Sequence, residues 1–265
     1  MPEIVEVAKI SEALQKIIGK NIVKLENDER SKYNKKNIPG LNCLKLPSKV
    51  IEISSYGKKI IFKLENNVCF ISTLGMEGHW VWKKENHSNL WLEIEDFGTL
   101  YFDDSRHFGS FEIFPNVKTM ELTLYSRVGP DLLKNEISPD VWLSKIKKYP
   151  NKMICVFLME QDKFSGIGNY LKSEILYDAK IFPGKLIKNM SDKEIENLRI
   201  STRKIILESY KQGGLTIKTY WDPDGNKGKY KPKVYGLNKD EYGNDIIKET
   251  FKDGRTTHYV KSLQV

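Results

Sequence analysis

The chain opens MPEIVEVAKI, so its second residue is proline and its third glutamate. Removal of Met1 ahead of so small a residue is expected, and it would leave Pro2 as a free secondary amine. An α-amino group has a pKa near ~8, so on the order of a tenth of it is unprotonated at neutral pH without any burial. A lysine must be strongly perturbed to match that fraction. A neutral secondary amine can attack an electrophilic carbon such as C1′ of a deoxyribose. That covalent step displaces the group on the carbon, and the iminium ion it leads to makes the C2′ proton acidic, so elimination follows. Glu3 could protonate the ring oxygen or relay protons. A blander reading competes: proline in the first turn, with Glu3 and Glu6 at the positive end of the helix dipole, is ordinary helix chemistry. On these residues alone the blander reading is preferred.

Four further constellations share that ambiguity. Gly57-Lys58-Lys59 precedes the run IIFKL, and a lysine at a strand start can reach a phosphate or stay a solvated charge. Leu74-Gly75-Met76 and, further on, Asp104-Ser105-Arg106-His107-Phe108-Gly109 offer an apolar wedge, a guanidinium and a ring. Such a set can fill the hole left by a nucleotide turned out of a duplex, although Met76 and Phe108 taken singly read better as core. Gln161-x-x-x-Ser165-Gly166-Ile167-Gly168-Asn169-Tyr170 is either a plain interhelical turn or a phosphate site at a helix N-terminus, with the Asn169 amide as an extra donor. Lys252-Asp253-Gly254-Arg255-Thr256-Thr257-His258-Tyr259 puts an arginine on a hairpin tip, where it can clamp a phosphate or point into solvent.

The elements that must hold these residues follow from periodicity. Residues 3–18 carry Ile4, Val7, Ile10, Leu14 and Ile17 at helical spacing and close at Gly19. From about Ile22 to Pro115, short apolar runs (KVIEISS, KKIIFKL, NVCFIST, LWLEIE, TLYFDD) alternate with turn signals, as in an all-β unit; residues 31–40 are polar and read as a loop. A helical half follows. Ser138-Pro139-Asp140 starts one helix, residues 166–180 form another, and Ser191 with Glu194 caps a third that ends at Gly213-Gly214. From about Lys231 the pattern returns to β, with Asp253-Gly254 as a hairpin signal. The domain boundary is expected within 116–137.

The totals narrow the class. The 265 residues suit two domains, and a net charge of +8 favours a polyanionic partner, nucleic acid or an anionic membrane. The start is no signal peptide, since Glu3 and Glu6 occupy the place of its apolar core. The longest apolar run, around Met153–Met159, is far short of a membrane span. Cys43, Cys69 and Cys155 make no CxxC pair and read as buried free thiols in a reducing compartment.

Each signal is weak singly, but their order along the chain is specific. MPE at the start, GK before a strand, LGM, DxRxFG, GIGN and the GRTTHY hairpin together resemble the formamidopyrimidine-DNA glycosylase and endonuclease VIII family nearly end to end. The resemblance implies an α+β fold with a catalytic N-terminal β-sandwich behind a leading helix over 1–117 and a linker over 118–137. A helix–two-turns–helix domain over 138–230 and a finger over 231–265 would follow. It implies Pro2 as Schiff-base nucleophile, Glu3 as catalytic acid, Glu6 as a supporting carboxylate and Lys58 as a phosphate-binding catalytic lysine. Met76, Arg106 and Phe108 would fill the void of the flipped nucleotide. Asn169, Arg255 and, at a position where the family often has arginine, His107 would hold phosphates, and Gln264 also falls in place.

The family's usual finger carries four zinc cysteines. Here those positions are Tyr242, Asp245, Val260 and Leu263, so a zincless hairpin held by apolar packing is expected, with no metal and no organic cofactor. The implied function is a base-excision repair glycosylase and abasic-site lyase working by β,δ-elimination on damaged duplex DNA, as a soluble monomer in nucleus or cytoplasm. The zincless finger and complete void-filling set lean towards oxidised pyrimidines and hydantoins. The long segment 215–233 leans towards the alternative, oxoguanine and formamidopyrimidines. A non-catalytic DNA-binding protein of the same fold, and a basic α+β protein with no nucleic-acid role, are the competing readings.

Overall fold

The computed structural model describes residues 2–28, 31, 33, 38–216 and 221–265. The chain divides into two compact units, one of residues 1–127 with 216–228, the other of residues 128–215 with 229–265.

In the first unit α1 (Ile4–Leu14) runs on as a 3-10 turn, Gln15–Ile17, and reverses at Gly19, whose φ of 85° suits glycine. Eight strands follow: β1 (Asn21–Asn27), β2 (Ser48–Tyr56), β3 (Lys59–Leu64), β4 (Cys69–Thr73), β5 (His79–Val81), β6 (Ser88–Ile94), β7 (Gly98–Asp103) and β8 (Ser110–Phe114). They are hydrogen-bonded antiparallel in the order β5-β7-β6-β1-β2-β3-β4-β8. The link between the two halves is thin, since β1 and β2 pair only through Asn21↔Lys49 and Ile22↔Ser48. The halves fold over one core. Phe62 and Phe70 stack at 4.3 Å, Phe62 meets Trp80 edge-on at 5.8 Å, and Trp80, Phe102 and Phe111 continue the cluster. Val7, Ile10, Leu14 and Ile17 of the helix enter the same core.

The strands read from the sequence are present. The short β5 and β8 had carried no alternation long enough to register. Of the polar stretch 31–40, read as a loop, residues 32 and 34–37 lie outside the described residues, and Tyr33 and Ile38 are buried. The linker expected at 118–137 is also partly structured. α2 (Val117–Arg127) occupies its first half, started by Asn116, whose Oδ1 accepts the Thr119 N–H at 2.8 Å, and seated on Met120 and Leu124. Two apolar positions one turn apart are too few to announce a helix.

The second unit holds α3 (Pro139–Lys147), α4 (Ile154–Met159), α5 (Asn169–Asp178) and α6 (Asp192–Lys211), then a hairpin of β9 (Ile247–Thr250) and β10 (Thr256–Tyr259). The Ser191–Glu194 capping box forms as read, and α6 ends before Gly213-Gly214. Trp142 stacks on Phe164 at 4.3 Å and donates to the Ile195 carbonyl at 3.1 Å, fixing α3 against α6. Among the described residues no helix is long and apolar enough to cross a membrane.

Candidate active site

Pro2 and Glu3 are buried at the start of α1, and so is Glu6. Glu3 caps the helix, and its N–H donates to Glu6 Oε2 at 2.9 Å, closing a capping box. An ordinary helix start leaves its acidic cap in water, because a buried carboxylate is costly unless hydrogen bonds repay it. Here every residue from Pro2 to Ala8 is buried, so the first turns are not one-sided, as the sequence suggested, but enclosed. That burial sets this helix start apart from an ordinary exposed cap.

The helix also determines what lies at its start. Its far end is tied to β2, where the Gly19 N–H donates to the Val50 carbonyl at 2.8 Å, and α1 packs along β2 and β3. From Ile4 to Ile17 the helix covers about 20 Å, and from Val50 to Tyr56 the strand covers about the same. The N-terminus is therefore carried towards the β2–β3 turn, where Gly57, at φ 55°, and Lys58 are the two turn residues. Lys58 is half-buried there. Its neighbour Lys59 faces away, donating to Thr73 Oγ1 at 3.3 Å, and burial lowers its pKa.

The LGM and DxRxFG segments meet in space. Gly75 lies against the backbone of Phe108 and Gly109, where a Cβ would stand 2.6 Å from the Phe108 carbonyl oxygen. Phe108 is 54% exposed, so the core reading fails for it; Arg106 lies over its ring at 4.9 Å, and Met76 is half-buried beside them. Glu77 tethers this pair, accepting from Ser105 Oγ at 2.8 Å and pairing with Arg106 at 3.5 Å. An exposed ring stacked on a guanidinium is poorly explained by packing and well suited to replacing a base.

His107 differs from its neighbours. It adopts φ 56° and sets its half-buried ring against Tyr33 at 5.7 Å.

Asp104, fully buried, anchors the loop: its Oδ2 accepts Tyr33 Oη–H at 2.8 Å and the Gly109 N–H at 2.7 Å, and its carbonyl accepts from Asn89 Nδ2 at 2.8 Å. Burial, then the bond to Asp104, raises the Tyr33 pKa. Asp104→Ala is expected to cost about 2–3 kcal/mol by stranding both donors and to weaken binding to an abasic-site duplex. Thermal melting and a binding titration check it, and wild-type values in both would remove Asp104 as the loop's anchor.

In the second unit the GIGN turn is stapled by Gln161. Its Nε2 donates to the Met159 and Ile167 carbonyls at 2.9 and 2.8 Å, and its Oε1 accepts the Gly166 N–H at 3.0 Å. α5 then starts at Asn169, whose Nδ2 donates to the Thr256 carbonyl at 2.9 Å, tying the helix start to the finger. Arg255 is exposed on the hairpin turn, its N–H held by Asp253 Oδ1 at 3.0 Å. Sequence reasoning missed the residues that join these parts. Lys172 pairs with Asp253 at 2.7 Å, and Glu174 collects Tyr230 Oη–H and the N–H groups of Lys233, Val234 and Tyr235. Polar residues in a helix read as a solvated face, yet these two are fully buried.

The finger has no donor set for zinc at the four expected positions. Val260 and Leu263 offer no ligand atom and pack with Tyr177, Val234 and Ile246, while Tyr242 is 76% exposed. Asp240 shapes the turn instead, accepting the N–H groups of Tyr242 and Asn244 at 3.0 and 2.8 Å and Tyr177 Oη–H at 3.0 Å. Gln264 locks the end, accepting from the Val260 N–H at 2.8 Å and donating to the Ile181 carbonyl at 2.9 Å. Of the three thiols, Cys69 and Cys155 are buried and pushed up by burial to about 11 and about 12, whereas Cys43 is half-buried, contrary to expectation.

Comparison with known proteins agrees with this geometry. The family model described as formamidopyrimidine-DNA glycosylase N-terminal domain matches residues 1–111, and that described as formamidopyrimidine-DNA glycosylase H2TH domain matches residues 128–220. The chain is similar to the formamidopyrimidine-DNA glycosylase of Ureaplasma parvum serovar 3, 30% identical over 100% of both chains, and to that of Lactococcus lactis subsp. lactis, 32% identical over 100% of this chain and 99% of the relative. Among solved structures, a Lactococcus lactis enzyme variant in complex with a Fapy-dG containing DNA superposes with a TM-score of 0.87 at 28% identity, covering 99% of each chain. A Thermus thermophilus protein, at 24% identity and a TM-score of 0.89 over 99% of this chain and 98% of that one, shares the fold. With both family domains in chain order and relatives that align end to end, the chain belongs to the formamidopyrimidine-DNA glycosylase family and is a DNA glycosylase of base-excision repair.

Proposed function

We propose that this chain is a bifunctional glycosylase and abasic-site lyase that removes oxidised purines, formamidopyrimidines foremost, from duplex DNA. The observation that carries the chemistry is the burial of Pro2 with Glu3 and Glu6 at the enclosed start of α1. In this reading the damaged nucleotide turns out of the duplex, and Met76, Arg106 and Phe108 take its place. The Pro2 nitrogen attacks C1′, and the C1′–base bond breaks with its electron pair leaving on the base, which takes up a proton. Once the nitrogen has lost its own proton, its lone pair opens the C1′–O4′ bond while Glu3 protonates the ring oxygen, and the iminium results. The iminium acidifies C2′–H. Loss of that proton expels the 3′-phosphate by β-elimination, and δ-elimination then expels the 5′-phosphate. Lys58, Asn169 and Arg255, with His107 as a weaker member, hold phosphates. The bond changes need no cofactor, since the amine is the nucleophile.

On substrate class, the names of the relatives support the oxidised-purine alternative over the pyrimidine and hydantoin reading to which the sequence leans. The segment 215–233, whose residues 217–220 lie outside the described residues, is long enough to cap a purine lesion. Its described part is fastened, since Asp224 accepts from Lys16 Nζ at 2.6 Å and Trp82 Nε1 at 3.0 Å. The finger without zinc ligands favours the other reading. Matched duplexes carrying one lesion each separate the two. Formamidopyrimidine and oxoguanine opposite cytosine are expected to be released faster than thymine glycol or a hydantoin. The reverse order would establish the pyrimidine reading.

A further inference from the structure

We propose that Lys172 is a positioning residue, whose buried ion pair with Asp253 determines how the finger presents Arg255 to the DNA backbone. The inference rests on the reading that Arg255 contacts phosphate.

Lysine is almost never fully buried unless paired, and Lys172 has no exposed surface. It cannot reach DNA itself. Its Nζ donates to Asp253 Oδ2 at 2.7 Å, and the Asp253 side chain is only 6% exposed. The other oxygen of that carboxylate accepts the Arg255 N–H at 3.0 Å. One carboxylate therefore joins the ammonium of α5 to the backbone of the finger arginine. The joint is not solitary. Asn169 donates to the Thr256 carbonyl, and the His258 N–H donates to Ser173 Oγ at 3.3 Å. Residues 169, 172 and 173 share one helix face, and they grip the turn and β10 at three points.

A buried ion pair adds little net stability, so stability alone is a weak reason for this one. The turn already has Gly254 at φ 68° and a Gly254 N–H to Phe251 carbonyl bond at 2.9 Å. What the pair adds is direction and charge control. Asp253 lies two residues from Arg255. Without Lys172, its carboxylate would be free to capture the guanidinium and would repel an approaching phosphate. Lys172 engages the carboxylate and leaves the Arg255 side chain exposed on the tip.

The test is binding of the full-length protein to a duplex with one abasic-site analogue, across a salt series, for wild type, Lys172→Met, Arg255→Ala and the double variant. Lys172→Met is expected to weaken binding about tenfold, the loss of one charge-assisted hydrogen bond. The slope of log affinity against log salt should fall by about one. In the Arg255→Ala background the same change should cost less than about twofold, because the two act through one contact. Additive losses, or a wild-type slope for Lys172→Met, would overturn the proposal. Should Lys172→Met fail to fold, Lys172→Met with Asp253→Asn replaces the charges by a neutral pair and must show the same non-additivity. If Arg255→Ala itself leaves affinity and slope unchanged, the phosphate reading fails first, and the inference with it.

Discussion

Borohydride reduction of the protein on a duplex with a single abasic site is expected to trap a covalent complex when Pro2 is the first residue, and none when a tag precedes it. An acylated proline nitrogen has no basic lone pair, so the loss should be complete rather than partial. Glu3→Gln should leave duplex binding measurable while slowing base excision by about 10²–10⁴-fold, the usual contribution of a positioned acid. Trapping by both forms would remove Pro2 as the nucleophile. No trapping by either, alongside normal DNA binding, would make the chain a binding protein of the same fold. Equal loss of binding and excision in Glu3→Gln would point instead to a disrupted α1 capping box, because Glu3 caps the helix as well as standing beside Pro2.

The largest effect on stability is expected at Glu174. Its carboxylate is fully buried and accepts three backbone N–H groups and one tyrosine hydroxyl, at 2.8–3.1 Å. Glu174→Ala leaves all four donors unsatisfied inside the protein. A single stranded donor costs about 1–3 kcal/mol, and four are stranded together. We expect a loss of at least about 3 kcal/mol and a fall in Tm of roughly 10 °C, read by calorimetry. A shift of less than about 2 °C would show that water replaces the carboxylate and that the residues around Val234 are held by the apolar cluster alone.

These two glutamates also show what the sequence could disclose. Glu3 stands in a pattern whose partners are local, and helix period, cap and dipole all bear on it. Its burial, which sets it apart from an exposed cap, depends on strands far along the chain. Glu174 had no signal, since its partners lie about sixty residues on and a carboxylate in mid-helix resembles any solvated residue. The same reason hid Lys172. Elements with strong local chemistry were legible: the Ser191 box, the Asp253-Gly254 hairpin and the strands bounded by turn residues. Phe108 was misjudged singly because an aromatic residue is usually core, and only its place beside Arg106 corrected that. Val260 and Leu263 at cysteine positions correctly pointed to packing in the finger, whereas Tyr242 and Asp245 lie outside the cluster.

The way the finger is fastened bears on the conditions under which a repair enzyme works. Thiolate fingers are vulnerable to the oxidants that damage DNA, because sulfenic acid formation weakens or removes a metal ligand. From residue 229 to the end this chain has neither cysteine nor methionine. Its shape there rests on aliphatic contacts, amide hydrogen bonds and the Lys172–Asp253 ion pair, none of which peroxide consumes. The buried thiols at Cys69 and Cys155 are little ionised at neutral pH and so react slowly. The shape of the finger should therefore outlast an oxidant that strips thiolate ligands from a metal-clipped finger.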